Sequence, residues 1–383
     1  MSAMSAMNAA VIDPAFWRGR RVMLTGHTGF KGAWLGLLLH RLGAEVLGFS
    51  LPPPTTPSLF DLAGVGADLR TVTGDVRDAA ALAAAVRDFA PEVLLHMAAQ
   101  SVVLDSYADP LGTYSTNVMG TANLLEAVRR AGLTRPLALV NVTTDKVYHN
   151  QRWLWSYREN EALGGRDPYS NSKACSELVT QSFVASFFPP ERRAEHGVAV
   201  ASARAGNVIG GGDWTPHQLV PAIIAAAQAG QPVALRNPAG VRPWQHVLDC
   251  LHGYLGLAER LLREPHRAAG DWNFGPPSDE VVTVAQVAEG VARHWALSPA
   301  WTQAPGERPP EEPELRLDCS KAARQLGWRC RLATPQALDW VAQWHLRHQA
   351  GEGARRICLD QIDAFLAHLG LDVGVHVGAE APR

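Results

Sequence analysis

The chain has 383 residues, 47% of them hydrophobic, and a formal net charge of −2 at pH 7. This length predicts two or three structural units with a large core, and the near-neutral charge gives no electrostatic reason to expect nucleic acid or a membrane surface as a partner. Five scattered cysteines without a Cys-x-x-Cys pair argue against a disulfide framework or a metal site and are typical of a reducing cytosol. The start has no signal-peptide pattern and the apolar run at 33–39 is too short to span a membrane, so we expect a cytoplasmic protein.

Strand and helix signals alternate through the first two hundred residues. The predicted strands lie at 21–25, 44–50, 91–99, 137–143 and 198–206. The helical patterns between them lie at 29–43, 79–89, 111–131 and 168–183. This alternation predicts an α/β protein with a Rossmann-like, doubly wound parallel sheet.

The composition changes after about residue 205, where Gly and Pro cluster between helical stretches. We therefore expect a Rossmann domain over 16–205, followed by a smaller, mixed α/β substrate domain over 206–370 that returns some segments to the Rossmann sheet. Residues 1–15 are predicted to be a flexible extension and 371–383 a tail. The Pro/Glu-rich segment 304–314 is predicted to be an exposed loop.

Three glycines at a strand-to-helix junction predict a dinucleotide site. Gly26, Gly29 and Gly32 are spaced three apart, so backbone amides approach a pyrophosphate that sits at the helix N-terminus. Ser50 stands at the end of the second strand, without the usual acid for a ribose and without an arginine for a 2′-phosphate, which favours NAD over NADP. His27, inside the loop, is expected either to face solvent or to crowd the pyrophosphate.

The segment NVTTDKVYHN (141–150) places an acid beside a base where a strand ends. The pair Asp145 and Lys146 is either a surface ion pair or two groups that move protons. Ligands bind at the carboxyl edge of open α/β sheets, which favours proton transfer.

The ordered motifs resemble the extended short-chain dehydrogenase/reductase family and, within it, the nucleotide-sugar 4,6-dehydratases. They are Gly-x-x-Gly-x-x-Gly (26–32), GDVRD (74–78), HMAAQ (96–100), YSTN (114–117), Thr144-Asp145-Lys146 and Tyr169-x-x-x-Lys173. Stretches such as RAGNVIGGGDW (204–214) and RPWQHVLD (242–249) are similar to members that act on CDP-glucose. The resemblance spans about 16–345 and implies NAD as cofactor, CDP-glucose as substrate, and a homodimer or higher homo-oligomer.

This resemblance assigns catalytic roles. Oxidation of C4 of glucose to a ketone makes the C5 hydrogen labile, water then leaves across C5 and C6, and the hydride returns to C6. Tyr169 would take the C4 hydroxyl proton, assisted by Lys173 one helical turn away, whose ammonium is expected to lower the pKa of the phenol. Thr144 would bind the C4 oxygen, Asp145 would protonate the C6 oxygen, and Lys146 would be the base at C5.

The family also implies the binding residues. Candidate cofactor contacts are Gly26, Thr28, Gly29, Phe30, Lys31, Gly32, Ser50, Asp75, Val76, Ala98, Ala99, Gln100, Asn117, Thr143, Tyr169 and Lys173. Candidate substrate contacts are Gln100, Ser101, Arg204, Asn207, Leu219, Arg242 and Arg308. The arginine side chains suit phosphate oxygens, but Arg204 has a structural ion pair as its alternative. The alternative functions are another nucleotide-sugar 4,6-dehydratase, a 4-epimerase and a non-catalytic dinucleotide-binding protein.

Overall fold

The computed structural model describes residues 11–305 and 315–371. Arg308, most of the predicted loop 304–314 and the tail beyond 371 lie outside the described residues. Within them, the strands are β1 (Arg21–Thr25), β2 (Glu45–Ser50), β3 (Arg70–Thr73), β4 (Val93–His96), β5 (Leu137–Val142), β6 (Val198–Ala205), β7 (Asn207–Ile209), β8 (Val233–Leu235), β9 (Trp244–His246), β10 (Gly270–Phe274) and β11 (Trp301–Gln303).

Helices follow most of the strands. They are α1 (Pro14–Trp17), α2 (Phe30–Arg41), α3 (Leu59–Leu62), α4 (Ala79–Phe89), α5 (Val103–Ala108), α6 (Pro110–Tyr114), α7 (Gly120–Arg130), α8 (Pro168–Phe187), α9 (Arg193–His196), α10 (Leu219–Gln228), α11 (Val247–Arg263), α12 (Pro265–Ala268), α13 (Val284–Ala292), α14 (Thr334–Gln349) and α15 (Ala354–His368). A π-helical turn at Ser115–Met119 joins α6 to α7. None of the helices in the described ranges has both the length and the apolar character needed to cross a membrane.

Seven parallel strands form the main sheet in the order β10-β6-β5-β4-β1-β2-β3. This order confirms the predicted Rossmann-like fold, in which the chain changes direction across the sheet between β1 and β4. Strand β10 comes from beyond residue 206 and pairs with β6. Two short parallel pairs, β7 with β9 and β8 with β11, stand outside the main sheet.

Side chains of the central strands point alternately to two apolar layers, as the period of a strand requires. Leu24 and Val140 join a core formed with helices α2 and α11. Met23 and Leu139 face the opposite way and pack with α4 and α7. Because both faces are covered, the polar ends of the strands are left to build a site at the sheet's edge.

The predicted flexible extension is wrong for its last residues. Val11 packs against the main core, and Ile12 is buried there. The backbone N–H of Asp13 donates to Glu259 Oε2 at 2.9 Å, and its carboxylate caps α1. Residues 1–10 lie outside the described residues. So short a stretch carries no periodic apolar pattern, so its packing onto α11 cannot be predicted from local sequence.

One buried histidine makes stability depend on pH. The ring of His252, in α11, is fully buried and packs edge-on to Phe365 at 5.9 Å between centroids. Burial, with a smaller effect of Arg331, lowers its pKa to about 3. In the unfolded chain the pKa of a histidine is about 6.5. Between these values the unfolded chain binds a proton that the folded chain does not, so the free energy of unfolding falls as pH falls below about 6.5.

We predict that His252→Phe removes this dependence. Between about pH 7.5 and about pH 5, the free energy of unfolding of the variant should gain about 2 kcal/mol relative to the unaltered chain. Urea denaturation at the two pH values measures this difference. The same substitution at the exposed His266 serves as the control. Its free energy of unfolding should change between the two pH values by about as much as that of the unaltered chain. An equal pH response of His252→Phe and the unaltered chain would contradict the prediction.

Candidate active site

A cavity of about 1010 Å³ lies at the carboxyl edge of the main sheet. Its walls come from the loops after β1, β2, β4 and β5 and from the segments 205–222 and 233–237. These are the places where an open α/β sheet binds its ligand, since the strands on either side of β1 lead to helices on opposite faces. The cavity is large enough for an extended ligand.

The glycine loop forms one wall of the cavity by close backbone contact. Gly26 has φ +77°, and a Cβ there would lie 2.8 Å from the backbone nitrogen of Ala98. A Cβ on Gly32 would lie 2.1 Å from the carbonyl oxygen of Gly26. Glycine is therefore required at both positions, and the first turn of α2 faces the cavity with its amide groups. This cradle fits the pyrophosphate of a dinucleotide.

The end of β2 continues this wall. Ser50 Oγ hydrogen-bonds Thr28 Oγ1 at 2.9 Å, and Thr28 also donates to the carbonyl of Leu51 at 2.9 Å. Both expectations for His27 are wrong, because its ring is fully buried and turns away from the cavity. It occupies the space left by Gly48, where a Cβ would lie 2.4 Å from the ring, and packs edge-on to Phe60.

The predicted oxidation residues lie together where β5 ends. Tyr169 and Lys173 are one turn apart on α8, and both are buried and line the cavity. Lys173 Nζ donates to the carbonyl of Val142 at 3.0 Å. The phenol of Tyr169 lies beside the side chain of Thr144, the second residue after β5. Helix α8 thus presents a phenol and an amine to the strand end.

Burial governs the charge states of both groups. Burial raises the pKa of Tyr169, and the neighbouring side chain of Thr144 opposes this rise. Burial, with the nearby charge of Lys31, lowers the pKa of Lys173 to about 7. The expectation that Lys173 lowers the pKa of the phenol is therefore outweighed, because burial disfavours the tyrosinate. Lys173 titrates in the working range of an acid–base group.

Asp145 and Lys146 also line the cavity. One carboxylate oxygen of Asp145 accepts from Thr144 Oγ1 at 2.9 Å, and the other has no hydrogen-bond partner within the described residues. Burial raises the pKa of Asp145, against the opposing charges of Lys146 and Arg242. Lys146 Nζ lies 5.9 Å from the centroid of the Tyr169 ring. The pair faces the same space as Tyr169, which supports proton transfer over a surface ion pair.

Asn117 supports the site without lining the cavity. Its carbonyl oxygen accepts from the backbone N–H of Gln100 at 2.9 Å, and its amide donates to the Gln100 carbonyl and to Ser172 Oγ. Asn117 therefore holds the backbone at Gln100 and does not make the predicted direct cofactor contact. The π-helical turn places this side chain beneath the loop after β4.

Arg204 is placed as a structural ion pair, the alternative to substrate binding. Its guanidinium is 1% exposed and holds the carboxylate of Glu177, itself 0% exposed, with an N–O distance of 2.5 Å. It also donates to Tyr148 Oη at 2.8 Å and to the carbonyl of Glu159 at 2.9 Å. The side chain does not line the cavity, so the predicted phosphate contact is wrong.

The cavity gathers the other predicted residues that the structure describes, and some that sequence reasoning missed. The missed residues include three arginines, Arg152, Arg166 and Arg236, and the buried His345. The arginines belong to loops without a motif, so no sequence pattern pointed to them. Among the described residues, no cluster of three or more His, Cys, Asp or Glu side chains could hold a metal ion.

Glu177 was also missed, although a signal for it exists. It lies four residues after Lys173 and eight after Tyr169, so helical spacing places all three on one face of α8. Its carboxylate accepts from Thr143 Oγ1 at 2.5 Å. Thr143 itself lines the cavity, and in the chain it stands between Val142, which Lys173 contacts, and Thr144, which lies beside Tyr169.

Curated relatives share this sequence over most of its length. The CDP-glucose 4,6-dehydratase of Salmonella typhimurium is 47% identical over 342 residues, which cover 89% of this chain and 95% of that relative. A dTDP-glucose 4,6-dehydratase of Xanthomonas campestris is 27% identical over 346 residues, which cover 85% of this chain and 93% of that relative.

Solved structures share the fold. The dTDP-glucose 4,6-dehydratase of Streptomyces venezuelae, with NAD and TYD bound, superposes with a TM-score of 0.71 at 26% identity, covering 86% of this chain and 98% of that one. The UDP-glucose 4-epimerase of Thermus thermophilus in complex with NAD has the same TM-score and identity, covering 84% and 98% of the two chains.

A family model described as GDP-mannose 4,6 dehydratase matches residues 23–339. This range contains the glycine loop, the Thr144–Lys146 turn, and the tyrosine and lysine of α8. With the extent of the match and the identity to the Salmonella enzyme, the chain belongs to the GDP-mannose 4,6-dehydratase family.

Proposed function

We propose that this chain is an NAD-dependent CDP-glucose 4,6-dehydratase, a hydro-lyase that forms CDP-4-keto-6-deoxyglucose. The observation that carries this proposal is the convergence of Asp145 and Lys146 with Tyr169 and Lys173 on one cavity. An oxidation alone needs only the second pair, whereas elimination of water also needs an acid and a base. The 47% identity to a CDP-glucose 4,6-dehydratase supports the choice of substrate.

NAD fits the wall built by the first half of the sheet. The glycine loop would hold the pyrophosphate, Ser50, Asp75 and Val76 the adenosine, and Lys173 the nicotinamide ribose. When bound, NAD would supply the two-electron oxidation at C4 and the later reduction at C6, and its positive nicotinamide ring would favour the tyrosinate. The tight fit of Gly26 and Gly32 leaves no room for a side chain at these two positions.

The C4 oxidation uses the groups at the end of β5. Tyr169 takes the proton of the C4 hydroxyl, and the hydroxyl of Thr144, which lies beside the phenol, orients the C4 oxygen. Lys173, with a pKa lowered to about 7 by burial, passes or receives a proton near neutral pH. Its bond to the Val142 carbonyl fixes the amine at the strand end.

The elimination uses the turn that follows. Once C4 is a ketone, the hydrogen on C5 is alpha to a carbonyl, and Lys146 in its neutral form removes it. Asp145, whose pKa is raised by burial, holds a proton and delivers it to the departing C6 oxygen. The unpaired carboxylate oxygen of Asp145 is the atom available for this step.

The second half of the cavity would hold the nucleotide. Asn207, Leu219 and Arg242 line it there, and Gln100 and Ser101 line it nearer the loop after β4. Arginine forms forked hydrogen bonds with phosphate oxygens, which suits Arg242 to the diphosphate.

We also propose that the enzyme acts in the cytoplasm as a homodimer or a higher homo-oligomer. Several large apolar side chains are exposed on the helices between residues 103 and 187. They include Tyr107 (53%), Leu111 (80%), Met119 (54%), Leu178 (53%) and Phe187 (44%). Apolar groups exposed in this way are typical of a surface that another chain covers.

Incubation with NAD and a panel of CDP-, dTDP-, UDP- and GDP-glucose tests the function. We expect CDP-glucose to lose one water, as measured by mass spectrometry of the nucleotide sugar, at a higher kcat/KM than the other sugars. A higher kcat/KM for loss of water from a different nucleotide-glucose would refute the substrate assignment. A change of sugar configuration without a change of mass would instead identify a 4-epimerase.

The base is tested with Lys146→Ala. In deuterated water the unaltered enzyme should place deuterium at C5 of the product. The variant should lower the rate of water loss by about 10²-fold or more, because a positioned base contributes at least that much. In a single turnover it should still oxidise C4, and mass spectrometry then detects a sugar that has lost two hydrogens and no water.

Lys321→Ala is the matched control, since Lys321 is the one lysine of the four that does not line the cavity. It should eliminate water at the unaltered rate. Normal elimination by Lys146→Ala would show that another group is the base.

The acid is tested by the pH dependence of elimination. Asp145 must be protonated to act, so the rate of water loss should fall as pH rises through its raised pKa. Asparagine is similar in size but has no acidic proton. Asp145→Asn should therefore lower the rate of water loss about 10²-fold, and this rate should no longer fall as pH rises. A variant with the same decline at high pH as the unaltered enzyme would assign the decline to another group.

A further inference from the structure

The strand end that carries the reaction is held by one face of α8. Lys173 donates to the carbonyl of Val142, Glu177 accepts from the hydroxyl of Thr143 at 2.5 Å, and the phenol of Tyr169 lies beside Thr144. Three consecutive residues, the last of β5 and the two that follow it, thus each meet a different turn of the same helix. Two of the three helical residues belong to the oxidation chemistry proposed above. The third, Glu177, has no assigned function.

We propose that Glu177, held by Arg204, is a positioning residue of the C4 oxidation. It fixes Thr143, and through it Thr144, against Tyr169, and it places a negative charge one helical turn from Lys173. This inference rests on the proposed function, because it concerns the same oxidation step.

The geometry favours a specific function of Glu177 over general core packing. Both Nε and one terminal nitrogen of Arg204 contact the Glu177 carboxylate, at 2.5 to 3.0 Å. The carboxylate cannot rotate freely, so the hydroxyl of Thr143 meets a fixed acceptor. The other terminal nitrogen of Arg204 donates to Tyr148, which lines the cavity on the other side of the Asp145–Lys146 turn. One buried ion pair therefore restrains both ends of the 143–148 segment.

Charge also connects this pair to Lys173. The charged groups facing Lys173 are Lys31 from α2, which lowers its pKa, and Glu177 from its own helix, which raises it. Neutral His96, from β4, lies on another side, and the charge of Lys173 contributes to its low pKa. Behind Glu177 stand Arg204 from β6 and Asp271 from β10. Among these groups of the described chain, Glu177 is the one whose charge favours the ammonium form of Lys173.

Thr143→Val tests the positioning without disturbing the ion pair. Valine keeps the shape of threonine and removes the hydroxyl that Glu177 accepts. We expect the single-turnover rate of C4 oxidation to fall about tenfold, with KM for CDP-glucose and the thermal unfolding temperature nearly unchanged. Thr143→Ser keeps the hydroxyl and should restore the rate.

Glu177→Gln tests the charge. It leaves the positive Arg204 in place, which favours proton loss from both Lys173 and Tyr169, so the pH profile of kcat/KM should move to lower pH by about one unit. Glu177→Gln/Arg204→Met removes both charges and should move the profile much less. A residue that only stabilises the fold would lower the unfolding temperature and leave the profile in place.

A readout without turnover accompanies these rates. Competitive acetylation of the cofactor-free protein with acetic anhydride, followed by peptide mass spectrometry, measures the pKa of Lys173 against a free lysine peptide. The chain has only four lysines, so the labelled peptides are readily resolved. The midpoint for Lys173 should move to lower pH in Glu177→Gln.

The outcomes separate the two proposals. If the unaltered enzyme removes water from no nucleotide-glucose, the proposed function fails, and the acetylation result alone decides whether Glu177 controls Lys173. If the unaltered enzyme is active and Thr143→Val oxidises C4 as fast as the unaltered enzyme does, the positioning role of Glu177 is overturned. An unmoved pH profile and acetylation midpoint in Glu177→Gln overturn the electrostatic role. Should Glu177→Gln fail to fold, Thr143→Val still decides the positioning role, because it leaves the ion pair in place.

Discussion

The contact between α8 and the carboxyl end of β5 is the constraint on which the rest of the site depends. Residues 169, 173 and 177 stand on successive turns of α8 and face three consecutive residues, 142–144, where the chain leaves the strand. A strand end in a parallel sheet would otherwise leave its backbone and hydroxyl groups to water. Here those groups are used inside the protein, and the next two residues, Asp145 and Lys146, are directed at the cavity as a result.

Burial then sets the chemistry of these groups. The same low-polarity surroundings raise the pKa of Asp145 and of Tyr169 and lower that of Lys173, because each effect disfavours a charged form. The glycine loop contributes to this burial, since its backbone at Gly26 approaches the loop after β4 too closely for a side chain to fit there. Such a site favours the protonated form of a carboxylic acid beside an amine more than an exposed pair of the same residues would.

Much of this arrangement could be predicted from the sequence. The glycine spacing, the alternation of strands and helices, and the ordered motifs fixed the fold and the residues at the end of β5, because each depends on local chain geometry. What failed depended on contacts distant in sequence. Arg204 points into the protein because its guanidinium binds the carboxylate of Glu177, which lies on α8, 27 residues earlier in the chain. His27 is buried because Gly48, on the neighbouring strand, leaves a space for its ring. Residues 11–13 are ordered only by packing onto α11, which follows more than two hundred residues later.

The register between helix and strand end bears on how such a chain can diverge. Each residue added to or removed from an α-helix rotates everything beyond it by about 100°. An insertion or deletion between Tyr169 and Glu177 would therefore turn one of the three contacts away from the strand, whatever side chains were chosen. Most substitutions on the outer face of α8 leave this alignment intact. Among descendants of a common ancestor, this stretch should drift in composition while keeping its residue count, and gaps in alignments should collect in the loops around it.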